Sequence, residues 1–182
     1  MAPTPLILAL GSNLGDRRAH LSQAVGELAP LMSDLCISPV YENPPLGIPS
    51  RRPFLNLCLA ARCELPPGEL LKTCRELELS LGRRELPSGD RPLDIDLIFY
   101  DALVLTSAKL TLPHPRWRER SFVVQPIYDL AKANQWVRVW LERQWGLNLS
   151  HLSGLAKRLR RVHPLTEVDP PLKVETGQKP LE

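Results

Sequence analysis

Two aspartates stand two residues apart inside an apolar run, in the stretch DRPLDIDLIFYD that spans residues 90–101. In a β-strand, side chains two residues apart share a face, so Asp94 and Asp96 point to the same side about 7 Å apart, while their aliphatic neighbours point into the core. At that separation two carboxylates repel each other by roughly 2 kcal/mol at an effective dielectric constant near 20. The pair therefore favours a cation, and Mg²⁺ is usually held by one or two carboxylates with water and substrate phosphates. The alternative is an acid pair that faces solvent from an edge strand, because D-x-D is a short and common pattern.

Basic residues surround this pair along the chain. Arg83 and Arg84 precede it and Arg91 stands three residues before Asp94, while His114 is followed by several arginines in LTLPHPRWRERSF. A metal ion next to guanidinium groups indicates a polyphosphate ligand. The alternative is a solvated basic loop, since charged, turn-like runs are usually exposed. GSNLGD, residues 11–16, matches neither the dinucleotide nor the P-loop glycine pattern and is interpreted as a strand-to-helix turn.

The composition limits the class of protein. The 182 residues include 43% hydrophobic residues, enough for one α/β domain with a core, and 23 Lys and Arg against 20 Asp and Glu give a net charge of +3. That charge is too small to indicate nucleic-acid binding without clustering. No signal peptide or membrane-spanning run is evident, so we expect a cytoplasmic protein with no membrane association. Four cysteines without a C-x-x-C spacing predict buried free thiols.

The order of predicted elements defines the fold class. PLILALGSN reads as a strand, followed by a helix capped by Asp16, a strand over DLCISPVYE, a strand over FLNLCLAARCEL, a helix over PPGELLKTCRELELSLG and the strand of the aspartates. This βαββαβ order predicts an α+β, ferredoxin-like antiparallel sheet with helices on one face and the other face open for ligands. Further helices are predicted near VVQPIYDLA and at QWVRVWLERQW, and the polar, proline-rich tail after His163 is expected to be loosely ordered.

Six motifs occur together over residues 6–131: LALGSNLGDR, VYENPPLG, FLNLCLAA, LELSLGRR, RPLDIDLIFYD and LPHPRWRERSFVVQPI. In this order they resemble the 6-hydroxymethyl-7,8-dihydropterin pyrophosphokinase family of folate biosynthesis. The resemblance implies a ferredoxin-like α+β fold, with ATP as co-substrate and two Mg²⁺ ions. It also implies transfer of pyrophosphate to the hydroxymethyl group of the pterin, with release of AMP.

The resemblance also implies roles for individual residues. Asp94 and Asp96 match the carboxylates that hold both magnesium ions, and Arg83 and Arg91 complete the implied catalytic set. The positions that match the nucleotide site are Glu78, Arg83, Arg84, Arg91, Leu97, Thr111, His114 and Arg120. The positions that match the pterin site are Asn43, Pro44, Leu46, Phe54, Asn56, Asp94 and Phe122, with the amide of Asn56 reading the edge of the heterocycle and the two phenylalanines enclosing the ring. Without the resemblance, Phe54 and Phe122 would be read as core residues.

The domain organisation follows from where the motifs end. We expect residues 1–145 to form the pyrophosphokinase domain and residues 146–182 to form an extension with a basic helix and a proline-rich tail. The expected partners are small molecules alone, and the expected state is a monomer, with a weak oligomer as the alternative. The segment between Arg83 and Arg91, which is mobile in the family and closes over ATP, is shorter here and lacks a tryptophan that is common there.

Two other classes of function fit parts of the sequence. A metal-dependent phosphohydrolase or nucleotidyltransferase could use D-x-D with arginines, but it would not need the pocket of Asn56, Phe54 and Phe122. An RNA-binding module could use a ferredoxin-like sheet with a basic tail, but acids at the centre of the ligand face would repel phosphates unless a metal were bound. Tight pterin binding would distinguish a pyrophosphokinase from the first alternative, and RNA binding without magnesium would favour the second.

Overall fold

The computed structural model describes residues 2–156 and 159–162 of the chain. The strands, in chain order, are β1 (Thr4–Ser12), β2 (Met32–Ile37), β3 (Val40–Asn43), β4 (Phe54–Cys63), β5 (Asp94–Tyr100), β6 (Leu105–Thr106), β7 (Thr111–Leu112) and β8 (Arg160–Val162). The α-helices are α1 (Arg17–Leu28), α2 (Pro67–Ser80), α3 (Ser121–Ala133), α4 (Gln135–Trp145) and α5 (Leu149–Leu155). None of the described helices has the length and apolar composition needed to span a bilayer.

The main sheet is antiparallel, with the order β5-β1-β4-β3-β8, and β2 pairs with β4 next to β3. This order, with α1 and α2 as the connections, is the arrangement predicted for a ferredoxin-like α+β fold. In the register of the central strands, Gly11 of β1 lies opposite Asn56 of β4 on one side and opposite Asp94 of β5 on the other. Gly11 therefore lies between a residue with an amide side chain and a residue with a carboxylate side chain on the neighbouring strands.

The strand β4 separates two cores because its side chains alternate between the faces. Leu55, Leu57 and Leu59 belong to the core under α1 and α2, while Cys58 and Ala60 belong to the core on the opposite face. The predicted alternation of this strand is therefore confirmed. The same alternation on β5 buries Leu93, Ile95 and Leu97 with the first core and leaves the two aspartates on the second face.

The second face of the sheet is less open than predicted. Helix α3 packs on β3 and β4, α4 contacts Phe99 of β5 through its tryptophans, and α5 packs on α3. Val123, Trp140 and Leu152 thereby join Cys58 and Phe99 in a second apolar core. The ring of Phe99 meets Trp117 edge-to-face with centroids 5.1 Å apart. The prediction of a wholly open face was wrong, because these three helices carry apolar side chains that need a partner surface.

Local signals set several of the helix ends. The carboxylate of Asp16 accepts a hydrogen bond from the Ala19 N–H at the start of α1, and Pro67 stands in the first turn of α2. Gly82 has a φ of 88° just beyond α2, and Gly146 has a φ of 64° just beyond α4. The helices predicted from VVQPIYDLA and QWVRVWLERQW are confirmed as α3 and α4.

Two segments differ from the predictions. The strand predicted over DLCISPVYE is broken at Ser38 and Pro39, because proline has no N–H to donate to the ladder. Ser38 instead donates its N–H to the Cys58 carbonyl, and its hydroxyl accepts from the Cys58 N–H. The prediction of a basic helix after residue 146 was also wrong for the described residues. Helix α5 carries no lysine or arginine, and Arg160–Val162 forms an edge strand paired with β3. The predicted proline-rich tail after His163 lies outside the described residues.

Candidate active site

The two aspartates occupy the start of β5 on its second face, as their spacing predicts. Asp94 is paired across the sheet with Gly11, and Asp96 with Ala9. Both side chains are partly exposed, at 21% and 32%. A glycine and an alanine beside them leave room for a ligand above the sheet.

Each aspartate is neutralised by side chains from other segments. Asp94 accepts hydrogen bonds from Arg83 and Arg91, each at 2.8 Å, and Asp96 accepts one from Arg120 at 2.6 Å. His114 Nε2 lies 3.9 Å from Asp96. The structure therefore brings together six residues that the sequence analysis assigned to the site.

The neutral form of His114 is favoured where it stands. Burial lowers its pKa, and the charges of Arg120 and Arg116 act in the same direction, against the opposing effect of Asp96. Its Nδ1 accepts a hydrogen bond from the Arg116 N–H, so the neutral ring carries its proton on Nε2, which faces Asp96. The side chain is thus an oriented hydrogen-bond donor at the edge of the site.

Glu78 supports the site from below. It is only 6% exposed, and its Oε1 accepts hydrogen bonds from the Ile95 N–H at 2.7 Å and from Arg83. Burial raises the pKa of Glu78, although the Ile95 N–H and Arg83 oppose that effect. Burial also disfavours the charge of Arg83, but Asp94 and Glu78 outweigh it and raise the pKa of this guanidinium. One arginine therefore joins the end of α2 to the start of β5.

A cleft of about 370 Å³ opens beside the aspartates. Seven of the predicted site residues line it: Glu78, Arg83, Asp94, Asp96, Leu97, Thr111 and His114. Its far wall is the segment 107–111 of the β6–β7 hairpin, and Arg75 of α2 donates a hydrogen bond to the Lys109 carbonyl at 3.5 Å. A cleft with carboxylates at one end and cations along its walls suits a metal–polyphosphate ligand.

A second cavity, of about 50 Å³, lies on the other side of Asp94. The predicted residues that line it are Asn43, Leu46, Phe54, Asn56, Arg91, Asp94, Arg120 and Phe122. The Arg91 guanidinium lies 5.3 Å from the ring centroid of Phe54, and that of Arg120 lies 5.8 Å from Phe122. Asp94 lines both spaces, so their contents would meet at its carboxylate.

The amide of Asn56 is oriented by its neighbours. Its Nδ2 donates to Asn43 Oδ1, and the Asn43 amide in turn donates to the Pro44 carbonyl at 2.8 Å. A Cβ atom on Gly11 would lie only 2.7 Å from Asn56 Oδ1, so the glycine leaves this amide its space. The predicted hydrogen-bonding edge thus has fixed donors and acceptors.

Not every predicted residue faces these spaces. Arg84 and Pro44 are exposed and line neither cavity. Arg75, Lys109 and Ile48 also line the cavities and were not predicted, whereas Arg116 belongs to the arginine-rich segment after His114 that the sequence marks. A single basic residue on an amphipathic helix or in a short hairpin carries no pattern, whereas the proximity of Gly11 could have been inferred from the predicted pairing of the central strands.

Metal binding by protein groups alone is not supported within residues 2–156 and 159–162, where no group of three or more His, Cys, Asp and Glu side chains could hold an ion. Two carboxylates facing a wide cleft are nevertheless the donor set typical of Mg²⁺ that shares its coordination with substrate phosphates. The residues fit an ion of that kind. A ferredoxin-like sheet that joins such a donor set to basic side chains fits a phosphoryl-transferring class of enzyme.

Comparison with known proteins specifies the family. The sequence model of the 7,8-dihydro-6-hydroxymethylpterin-pyrophosphokinase (HPPK) family matches residues 7–132. A 2-amino-4-hydroxy-6-hydroxymethyldihydropteridine pyrophosphokinase of Porphyromonas gingivalis is 41% identical over 130 residues, covering 68% of this chain and 88% of the relative. The enzyme of the same name from Bacillus subtilis is 33% identical over 150 residues, covering 75% of this chain and 90% of the relative. The chain belongs to the HPPK family.

A solved structure agrees with this at the level of the fold. A crystal structure of an HPPK-DHPS protein in complex with substrates superposes with a TM-score of 0.55 at 10% sequence identity. The match covers 82% of this chain and 46% of that longer chain, so this chain spans about half of it. Family membership makes the chain a diphosphokinase that transfers pyrophosphate in folate biosynthesis, with ATP as co-substrate.

Proposed function

We propose that the chain transfers the terminal diphosphate of ATP to 6-hydroxymethyl-7,8-dihydropterin, and that the two cavities at Asp94 hold the two substrates. The observation that carries this proposal is the position of Asp94 in the lining of both spaces. The larger cleft has the volume and the basic walls for ATP, with Arg83 and His114 near the phosphates. The smaller cavity has two aromatic rings and oriented amides for the pterin. Its volume of about 50 Å³ requires the Arg91 and Arg120 side chains that now lie over these rings to move when the pterin enters.

Asp94 and Asp96 are the residues that would hold magnesium, and we propose two ions, as in the family. When bound, Mg²⁺ would neutralise charge on the phosphate oxygens. The arginines that now neutralise Asp94 and Asp96 are equally suited to phosphate oxygens. Binding of the magnesium–ATP complex would thus redistribute existing ion pairs between carboxylates and phosphates.

The chemistry is an in-line displacement. The pterin hydroxymethyl oxygen bonds to the β-phosphorus, the bond from that phosphorus to the oxygen shared with the α-phosphate breaks, and AMP leaves with that oxygen. Asp94 or Asp96 accepts the hydroxyl proton. Arg83, Arg91 and Arg120 position the groups and stabilise developing charge, so that orientation and electrostatics supply most of the rate.

Action as a monomer on small molecules alone stays a prediction. Cytoplasmic location stays a prediction.

The first test measures products and a matched pair of variants. Purified protein, ATP, Mg²⁺ and 6-hydroxymethyl-7,8-dihydropterin are combined, and mass spectrometry quantifies AMP and the pterin diphosphate. We expect equal amounts of both, dependent on Mg²⁺, and a loss in Asp94→Asn on the order of 1,000-fold. Asp101→Asn makes the same change just beyond the end of β5, at a residue that lines neither cavity, and should retain activity. Formation of ADP or free phosphate, or near-normal turnover by Asp94→Asn, would overturn the proposal.

A further inference from the structure

The loop before β5 contains a buried carboxylate for which the proposed reaction has no use. Asp90 is 9% exposed and directly precedes Arg91. It accepts a hydrogen bond from Asn13 Nδ2 at 2.6 Å, and its Oδ2 lies 3.8 Å from Arg52 Nε. Hydrogen bonding from Ser50 is the main influence that lowers the pKa of Asp90, with Ser88, Asn13 and Arg52 acting in the same direction against burial. The carboxylate of Asp90 is therefore fixed in place by several polar partners, as buried polar groups generally are.

Asn13 connects this carboxylate to the backbone of Arg91. It is 2% exposed, directly beyond the end of β1. Its Oδ1 accepts from the Arg91 N–H at 2.8 Å, and its own N–H donates to the Arg91 carbonyl at 3.2 Å. The two backbone polar groups of Arg91 are therefore fixed to β1, and the Asn13 amide that holds one of them is itself held by Asp90.

Two of the groups around Asp90, Ser50 and Arg52, lie on the other substrate-facing loop, residues 44–53 between β3 and β4. The Asn13 amide that donates to Asp90 also lies 3.5 Å from the Ser50 hydroxyl, to which it donates. Ile48 packs against Gly89, where an added Cβ would come within 3.0 Å of it, and Gly89 also has a φ of 74°. Two loops from distant parts of the chain are thus joined next to the smaller cavity.

Arg91 and Ile48 both line that cavity, and Arg91 reaches Asp94 and the ring of Phe54 from there. We refer to Asn13, Ser50, Arg52 and Asp90 as the Asp90 clasp. We propose that Asp90 is a positioning residue: through the clasp it holds the two loops together and sets the place of Arg91 at Asp94. Its kinetic consequence rests on the proposed function, whereas its effect on the loops does not.

Amide hydrogen exchange tests the loop connection without any assay of turnover. Asp90→Ala removes the carboxylate, and Asp90→Asn keeps the shape and one acceptor while removing the charge. We expect Asp90→Ala to raise the exchange rates of the hydrogen-bonded amides in both loops together by at least about tenfold, with the strands of the main sheet unchanged. These amides are Arg52 in residues 44–53 and Gly89, Asp90 and Arg91 in residues 84–91. Glu85→Ala is the matched control, because Glu85 is an exposed carboxylate on the same loop. Exchange that rises in residues 84–91 alone, or not at all, would overturn the clasp.

A double-mutant cycle tests whether Asp90 acts through Arg91. Asp90→Ala should lower kcat/KM for the pterin by on the order of 100-fold in the wild-type background and by less than about threefold in an Arg91→Ala background. Equal losses in both backgrounds would show that Asp90 does not act through Arg91 and would contradict the proposal. If Asp90→Ala does not fold, Asp90→Asn serves in both experiments with smaller expected changes. A wild-type protein without pyrophosphate transfer would reject the proposed function, while the exchange experiment would still decide the loop connection.

Discussion

The two hydrogen bonds that Glu78 accepts predict how far substitutions of this residue should change stability and activity. Its buried Oε1 accepts from the Ile95 N–H, in the strand of the aspartates, and from Arg83. Glu78→Gln keeps an oxygen at this place and removes the charge. Glu78→Leu keeps a similar volume and removes both the oxygen and the charge.

The two substitutions should differ in stability. A buried N–H left without an acceptor costs about 1–3 kcal/mol, so Glu78→Leu should lower the free energy of unfolding by about 2 kcal/mol more than Glu78→Gln does. In Glu78→Gln the loss of a charge-assisted bond, about 1 kcal/mol, is offset in part because a buried carboxylate is removed. The difference corresponds to about 4–8 °C in melting temperature for a chain of this size.

Urea unfolding followed by circular dichroism, combined with steady-state kinetics, would measure both effects. In Glu78→Gln, Arg83 keeps Asp94 as a partner, so kcat/KM for ATP should fall by only about fivefold, the equivalent of about 1 kcal/mol. If Glu78→Leu is as stable as Glu78→Gln, the bond to Ile95 does not support β5 and the reasoning is refuted. If Glu78→Gln loses activity as completely as Asp94→Asn, Glu78 has a direct role that its buried contacts do not explain.

Two further predictions concern other contacts. Gly11→Ala would bring a Cβ to 2.7 Å from Asn56 Oδ1, so the Asn56 amide would have to move. We expect calorimetry to show pterin affinity lower by about tenfold and ATP affinity retained. Unchanged pterin affinity would show that Asn56 does not contact the pterin. Burial and the hydrogen bond to Asp129 raise the pKa of Tyr41 from 10.0 to about 12, so the folded protein keeps this proton between pH 10 and 12 where the unfolded chain loses it. Stability should therefore fall by about 2–3 kcal/mol across that window, and a Tyr41→Phe variant should lack this part of the decline in urea midpoints measured from pH 9 to 12.

Much of the sheet could be predicted from periodicity. The alternation in β4 and β5 assigns leucines to one core and the aspartates to the other face, because a strand repeats every two residues. The start of α1 at Asp16 and the end of α2 near Gly82 follow from local backbone chemistry, which the sequence displays directly. These features depend on residues close together in the chain.

Features that depend on distant residues were harder to predict. The placement of α3, α4 and α5 over the second face depends on which apolar surfaces meet in space, and the pairing of β8 with β3 joins segments more than 100 residues apart. Arg75 and Lys109 become neighbours only when α2 and the β6–β7 hairpin are both folded. The two aspartates and the basic residues near them could be found from residue type and spacing, and the remaining site residues from the family motifs. Neither signal marks which residues face a cavity, as Arg84 and Pro44 illustrate.

The second core has a practical consequence for anyone who shortens or fuses this chain. The family model ends its match at residue 132, but Val137, Trp140, Leu141, Leu147 and Leu152 lie beyond it and are buried in the second core. Cutting at that boundary would expose the apolar surface of α3 and the ring of Phe99, which α4 and α5 now help to cover, and such surfaces promote aggregation. A tag or fusion partner is better attached after β8, because the unit defined by shared motifs is smaller than the unit that must fold together.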